Sequence, residues 1–125
     1  MKSFKNDVIS TPGGANLSNC YLCGSCTACC PVNEIDDGYN PRKIMRMILL
    51  DMEDVLKSDD IWKCNQCHAC VAHCPQDARF ADVVRALREL SIKKGYRKKG
   101  LQESIQKLDE ELKQARLEKI KEILA

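Results

Sequence analysis

Cys20 to Pro31 reads Cys-Tyr-Leu-Cys-Gly-Ser-Cys-Thr-Ala-Cys-Cys-Pro. Counted as Cys20, Cys23, Cys26 and Cys30 with Pro31 behind them, the spacing is C-x-x-C-x-x-C-x-x-x-C-P. Further along, Cys64 to Pro75 (Cys-Asn-Gln-Cys-His-Ala-Cys-Val-Ala-His-Cys-Pro) repeats the grid with Cys64, Cys67, Cys70, Cys74 and Pro75. A doubled grid of thiols is a ligand pattern before it is anything else.

Three evenly stepped thiolates let one tight loop wrap three corners of an iron–sulfide cube, with backbone N–H groups aimed at sulfur. This is the run that binds four-iron clusters in bacterial-type ferredoxins, where the fourth cysteine of each run ligates the other cluster. The expected sets are therefore Cys20, Cys23, Cys26 and Cys74 for cluster one, and Cys64, Cys67, Cys70 and Cys30 for cluster two. With cysteine at all eight positions, both are expected to be [4Fe-4S]. Crossed ligation would tie the two halves of the chain together.

The chain has 125 residues, enough for one domain with an appendage. Aromatic residues make up only 5%, so burial alone gives such a domain little stability, and metal–thiolate bonds are expected to supply the rest. Nine cysteines could form disulfides, but the number is odd and residues 1–19 lack the pattern of a secretory leader. Cysteine-rich cytosolic chains bind metal more often than they form disulfides, and a cytoplasmic location is expected. The longest apolar run, Met47 to Leu50, is far short of the ~20 residues that cross a bilayer, so no membrane span is expected.

The net charge of +2 is unevenly spread. Residues 34–60 carry eight acidic and four basic side chains, whereas residues 85–99 carry seven basic ones against Glu89. A basic tract invites a nucleic-acid reading. Only Tyr96 is available to stack there, so solvated surface or partner docking is the expectation.

Outward from the runs, Pro12-Gly13-Gly14 predicts that residues 1–15 form an extended arm, anchored at most by Phe4, Val8 and Ile9. A short turn from Asn16 or Ser18 leads into the first run, and residues 16–95 form the domain proper. Asn33 to Tyr39 reads as a loop. Asn40-Pro41 is a helix start, with Asn as cap and Pro in the first turn. The helix that follows is apolar on nearly every side, which predicts full burial beside the clusters, with Met45 and Met47 packing rather than ligating. Asp54 to Lys57 predicts a second short helix, and Ser58-Asp59-Asp60 a cap ahead of Ile61 and Trp62. Trp62 is expected to shield a cluster from water. A helix beginning at Gln76-Asp77 buries Phe80, Val83, Val84, Leu87 and Leu90 and ends near Gly95. Beyond Gly100, residues 101–125 predict an amphipathic helix striped by Leu101, Ile105, Leu108 and Leu112, which either folds back or meets another subunit.

Other chemistries read the same residues less completely. Cys64 to His68 matches the C-x-x-C-H site of a c-type haem, but Gly24 stands where the first run would need histidine, and Cys70 and Cys74 are left over. Structural zinc prefers paired C-x-x-C knuckles. Cys29 and His73 align with each other, outside the ligand register, so Cys29 is expected to be a small packed spectator. No nucleophile–base arrangement, phosphate loop or open metal position predicts a substrate-converting site in this chain.

The intervening segment reads helical, without the alternation and hairpin turns of small β-rich ferredoxins. The expected fold is mainly α, resembling the α-helical ferredoxin fold. Over residues 19–90 the chain is similar to the C-type component of heterodisulfide reductase. That resemblance is carried by CYLCGSCTACCP, NPRKIMRMILL, VLKSDDIWKCNQCHACVAHCP and the helix FADVVRALREL. It implies an electron-transfer subunit that relays single electrons through two [4Fe-4S] clusters, from a flavin-containing A-type subunit to a catalytic B-type subunit that reduces a disulfide. The same relay would serve a sulfur-oxidising or quinone-linked complex. An iron–sulfur regulator binding nucleic acid through residues 85–99, and a free ferredoxin, are the readings from other classes.

Overall fold

In a computed structural model, which describes residues 3–125, the N-terminal segment expected to be extended is a helix, α1 (Phe4–Ser10). Residues 1 and 2 of the expected arm lie outside the described range. The Ser3 hydroxyl accepts from the Asn6 N–H at 3.2 Å. Phe4 and Val8, one turn apart, share the buried face that packs on α4 and α7, both defined below. A seven-residue helix is marginal alone, and this burial is what stabilises it. The glycines that suggested a loose joint make close contacts. A Cβ on Gly14 would meet the Val8 carbonyl oxygen at 1.9 Å, and one on Gly13 would meet that of Asp82 at 2.6 Å.

A 3₁₀ turn over Leu17–Asn19 leads to the first cysteine run. It has no side-chain cap, and Asn16 Nδ2 donates instead to the Asp77 carbonyl at 3.0 Å. Within the run is α2 (Ser25–Ala28), and α3 (Pro31–Ile35) follows it. The expected loop over Asn33 to Tyr39 is thus partly helical, because Pro31 supplies a preset first turn. Tyr39 is fully buried.

Asn40 does cap α4 (Pro41–Leu49), accepting from Lys43 N–H at 3.0 Å. The helix buries Ile44, Met45 and Ile48, while Leu50 and Met52 beyond its end are exposed. It is therefore one-sided, contrary to the all-round burial expected: Arg42, Lys43 and Arg46 are exposed on it, and the left-handed turn at Asp51 ends it before Met52 can join its buried face. A 3₁₀ stretch over Glu53–Lys57 and α5 (Asp60–Lys63) precede the second run, which contains α6 (Ala69–His73).

The core is organised on α7 (Phe80–Lys93), against which α1, the Glu53–Lys57 turn, α5 and α6 all pack. Val8, Leu17, Ile48, Leu56, Ile61, Val83, Val84 and Leu87 are all sealed from solvent. Each such side chain contributes about 1.5–3 kcal/mol relative to exposure. The helix starts later than the Gln76-Asp77 expected, because Asp77 and Arg79 adopt positive φ. Its end is a Schellman turn at Gly95, with Tyr96 N–H on the Ser91 carbonyl and Gly95 N–H on that of Ile92. The last element, α8 (Leu101–Leu124), buries no residue fully, and Leu108, Leu112, Leu117 and Ile123 are exposed. Among the described residues there is no strand, and no helix is long and apolar enough to cross a membrane.

Candidate metal centre

The two cysteine runs fold as near copies. Leu22 and Gln66, each two residues after the first cysteine of its run, have φ of 63° and 56°. Gly24 and His68, each just after the second cysteine, have φ of 87° and 63°. The left-handed turns bring backbone donors onto sulfur. Leu22 N–H donates to Cys20 Sγ and Gln66 N–H to Cys64 Sγ, both at 3.4 Å. Non-glycine residues in this region cost about 1–3 kcal/mol each and persist where surrounding structure demands them, commonly at functional sites.

Helices α2 and α6 pack together and bring the runs side by side. One hollow is lined by Cys20, Cys23, Cys26 and Cys74, with Met45, Arg42 and Phe80 around them. The other is lined by Cys30, Cys64, Cys67 and Cys70, with Tyr39 and Phe80. Cys70 and Phe80 border both. Each hollow thus gathers three cysteines of one run and the last cysteine of the other. Ala78 N–H donates to Cys74 Sγ at 3.4 Å, which accounts for the late start of α7.

Several features suit a multi-metal anion. The thiols are distributed around the two hollows. Burial pushes the Cys26 thiol up to about 11 and that of Cys70 to about 12. Such positions hold thiolates only when a cation compensates the charge. Cys23 and Cys67 are exposed. The Ser25 hydroxyl, 3.4 Å from Cys23 Sγ, lowers that thiol's pKa. The Tyr39 hydroxyl is sealed from solvent and makes no well-aligned hydrogen bond; it lies against the Cys64 thiol, and Tyr39 borders the second hollow. A buried donor without an aligned acceptor beside four sulfurs fits a site completed by an anionic iron–sulfur group.

The remaining candidates separate from these sites. Cys29 is half-buried, its thiol 3.5 Å from the Cys26 carbonyl, and borders neither hollow. His73 is outside both, whereas His68 lies on the rim of the second. Trp62, expected as a shield, lines neither hollow and instead lies 5.4 Å from the Arg88 guanidinium. Arg88 is only 1% exposed. Its Nε donates to the Ile61 carbonyl at 2.7 Å and its Nη2 to the Cys64 carbonyl at 2.8 Å. In sequence it is one of the basic residues expected at the surface. The missed signal is its register, one helical turn beyond Val84 and two beyond Ala81, both buried.

Comparison with known proteins agrees with this geometry. The family model described as "4Fe-4S dicluster domain" matches residues 14–75. Over 101 residues the chain is 40% identical to the C2 component of the H(2)/formate:CoB-CoM heterodisulfide,ferredoxin reductase of Methanococcus maripaludis, covering 75% of this chain and 54% of that protein. It is 43% identical over 86 residues to the iron-sulfur C component of the CoB–CoM heterodisulfide reductase of Methanopyrus kandleri, covering 68% and 44%. The second iron-sulfur C component of the CoB–CoM heterodisulfide reductase of Methanocaldococcus jannaschii is 40% identical over 80 residues, covering 64% and 42%. The chain spans about half the length of these curated relatives. With each hollow gathering three cysteines of one run and the last of the other, in a frame that has helices and no strand among the described residues, the chain carries two [4Fe-4S] clusters and belongs to the family of heterodisulfide reductase C components.

Proposed function

We propose that this chain is the electron-transfer subunit of a heterodisulfide reductase-type complex, passing single electrons between a flavin-containing A-type subunit and a catalytic B-type subunit that reduces a disulfide. In this reading Cys20, Cys23, Cys26 and Cys74 hold one cluster, and Cys64, Cys67, Cys70 and Cys30 hold the other. When bound, each cluster supplies a centre that accepts and releases one electron, at a potential set by charge, hydrogen bonds to sulfur and exposure.

The observation that carries the reading is the shared border of the two hollows at Cys70 and Phe80. Side chains common to both sites keep the centres adjacent, as a relay requires. Exposed Cys23 and Cys67 give each site its own face to solvent or to a neighbour. The rest of the chain's work is mechanical. Helices α4 and α7 fix the runs, and backbone N–H groups on Cys20, Cys64 and Cys74 stabilise thiolate charge. Thiols of this kind are kept reduced in the cytoplasm, which suits assembly there.

The test is reconstitution. Purified without oxygen, the chain should hold about eight irons. Added to its flavin and catalytic neighbours, it should restore electron passage to a disulfide that the neighbours alone do not support. Iron content without restored passage would defeat the relay while leaving the clusters in place. A relay in a sulfur-oxidising or quinone-linked complex would show as passage to or from those acceptors instead. The nucleic-acid reading loses ground, because Arg88 is buried, Lys94 pairs with Asp7 and Glu53, and Arg97 pairs with Asp59.

A further inference from the structure

The two hollows share a ligand pattern, but their surroundings differ. The first is lined by one cation, Arg42, whose Nε donates to the Leu22 carbonyl at 2.7 Å from an exposed position. Water and salt screen a charge held there. The hydroxyl facing Cys23, from Ser25, also sits at an exposed rim where water could do the same work.

Around the second hollow the polar groups are inside. The Arg88 guanidinium is buried and fixed to the carbonyls of Ile61 and Cys64. The Trp62 ring lies 5.4 Å from it. Among the described residues no carboxylate lies within 4.0 Å of it. Asp109 on α8 acts on it only from further off. A buried guanidinium without a close anion is costly, and the thiolates of the second site are the charges available to oppose it. Tyr39 borders that same hollow, its buried hydroxyl near the Cys64 thiol and without a well-aligned hydrogen bond. Gln66 adds a side-chain amide, Nε2 to Cys64 Sγ at 3.5 Å, where the first run has Leu22.

We propose that Arg88, with the Tyr39 hydroxyl and the Gln66 amide, makes the second site the higher-potential of the two, so that electrons entering at the first site run downhill to the second. The inference rests on the two-cluster relay reading. Reduction adds one electron, and hence one negative charge, to a site that already holds four thiolates. A fixed cation and donors at sulfur stabilise the added charge. Burial works in the opposite direction by penalising it. Each hollow, however, has one exposed cysteine, Cys23 or Cys67, so access of water separates the sites little. An unscreened interior cation does separate them.

The test is a redox titration of the loaded chain, followed by electron paramagnetic resonance, in the parent and in Arg88→Met, Arg88→Lys and Tyr39→Phe. The parent should show two midpoints at least tenfold apart in redox equilibrium, about 59 mV for one electron. Arg88→Met should lower the higher midpoint by a similar factor and leave the lower one in place, and Arg88→Lys should restore most of the loss. Tyr39→Phe keeps the buried ring and deletes only the hydroxyl, whose one side-chain neighbour of consequence is the Cys64 thiol, so it decides the matter even if Arg88→Met fails to fold. It should lower the same midpoint about threefold in equilibrium. Two intact clusters whose higher midpoint ignores Tyr39→Phe, or whose lower midpoint moves instead, overturn the asymmetry alone. A parent chain without iron overturns the two-cluster reading beneath it.

Discussion

Leu22 and Gln66 occupy the same place in the two cysteine runs and bend the backbone the same way, each turning its N–H onto the first sulfur of its own run at 3.4 Å. The left-handed region costs an ordinary L-residue roughly 1–2 kcal/mol. It is worst for β-branched side chains and mildest for glycine and asparagine. Leu22→Val should therefore loosen the first site more than Leu22→Asn, although valine better preserves the apolar contact. Iron per chain after anaerobic gel filtration is the measure, and equal retention by the two variants would count against the turn as the determinant.

The crossed arrangement makes a prediction that sequence neighbourhood would reverse. Cys74 lies in the second run but lines the hollow of Cys20, Cys23 and Cys26. Cys74→Ser should thus perturb the same spectroscopic centre as Cys20→Ser, and Cys30→Ser the same centre as Cys64→Ser. Resonance spectra of the reduced variants check the pairing. Grouping of Cys74→Ser with Cys64→Ser would exclude the crossed sets.

Much of this architecture is legible in the sequence because its signals are local. The Asn40-Pro41 cap and the Gly95 stop each act within one turn of chain, and each behaves in three dimensions as its residue types dictate. What the sequence hides depends on partners far away along the chain. Residues 4–10 look like part of a loose arm until α7 gives Phe4 and Val8 a surface to bury against. Tyr39 sits in a polar stretch that reads as loop, yet it is sealed beside a hollow. Arg88 is hidden among seven basic residues, and only the buried positions one and two turns before it distinguish it.

The glycine pair after α1 is a packing device. Gly14 faces the Val8 carbonyl so closely that a methyl group would fall at 1.9 Å from its oxygen. The obstacle is backbone, which cannot rotate away. Gly14→Ala should therefore destabilise by about 1–3 kcal/mol, the usual range for overpacking, with α1 lifting from α7. Thermal unfolding of the loaded protein would register it. Gly100→Ala, where nothing lies within 4 Å of the added carbon, serves as the comparison and should lose only the backbone preference of a left-handed position.

Removal of iron should divide the chain by element. The packing of α1, α4 and α7 rests on Val8, Ile48, Val83, Val84 and Leu87, none of which depends on sulfur. The runs themselves hold only α2 and α6, of four and five residues, too short to persist alone. After chelation, amide exchange should accelerate first across residues 20–30 and 64–79 while α7 stays protected. Reloading should favour alkaline conditions. Whenever the metal-free runs close into their folded positions, burial raises the Cys26 and Cys70 thiols to about 11 and about 12, so at neutral pH they are protonated there. Iron binds thiolate and must displace those protons. Each unit of rising pH below these values multiplies the thiolate fraction about tenfold. Iron uptake by the apo chain should accordingly speed up from pH 7 to pH 9, and a rate independent of pH over that span would mean that deprotonation of these two thiols does not limit assembly.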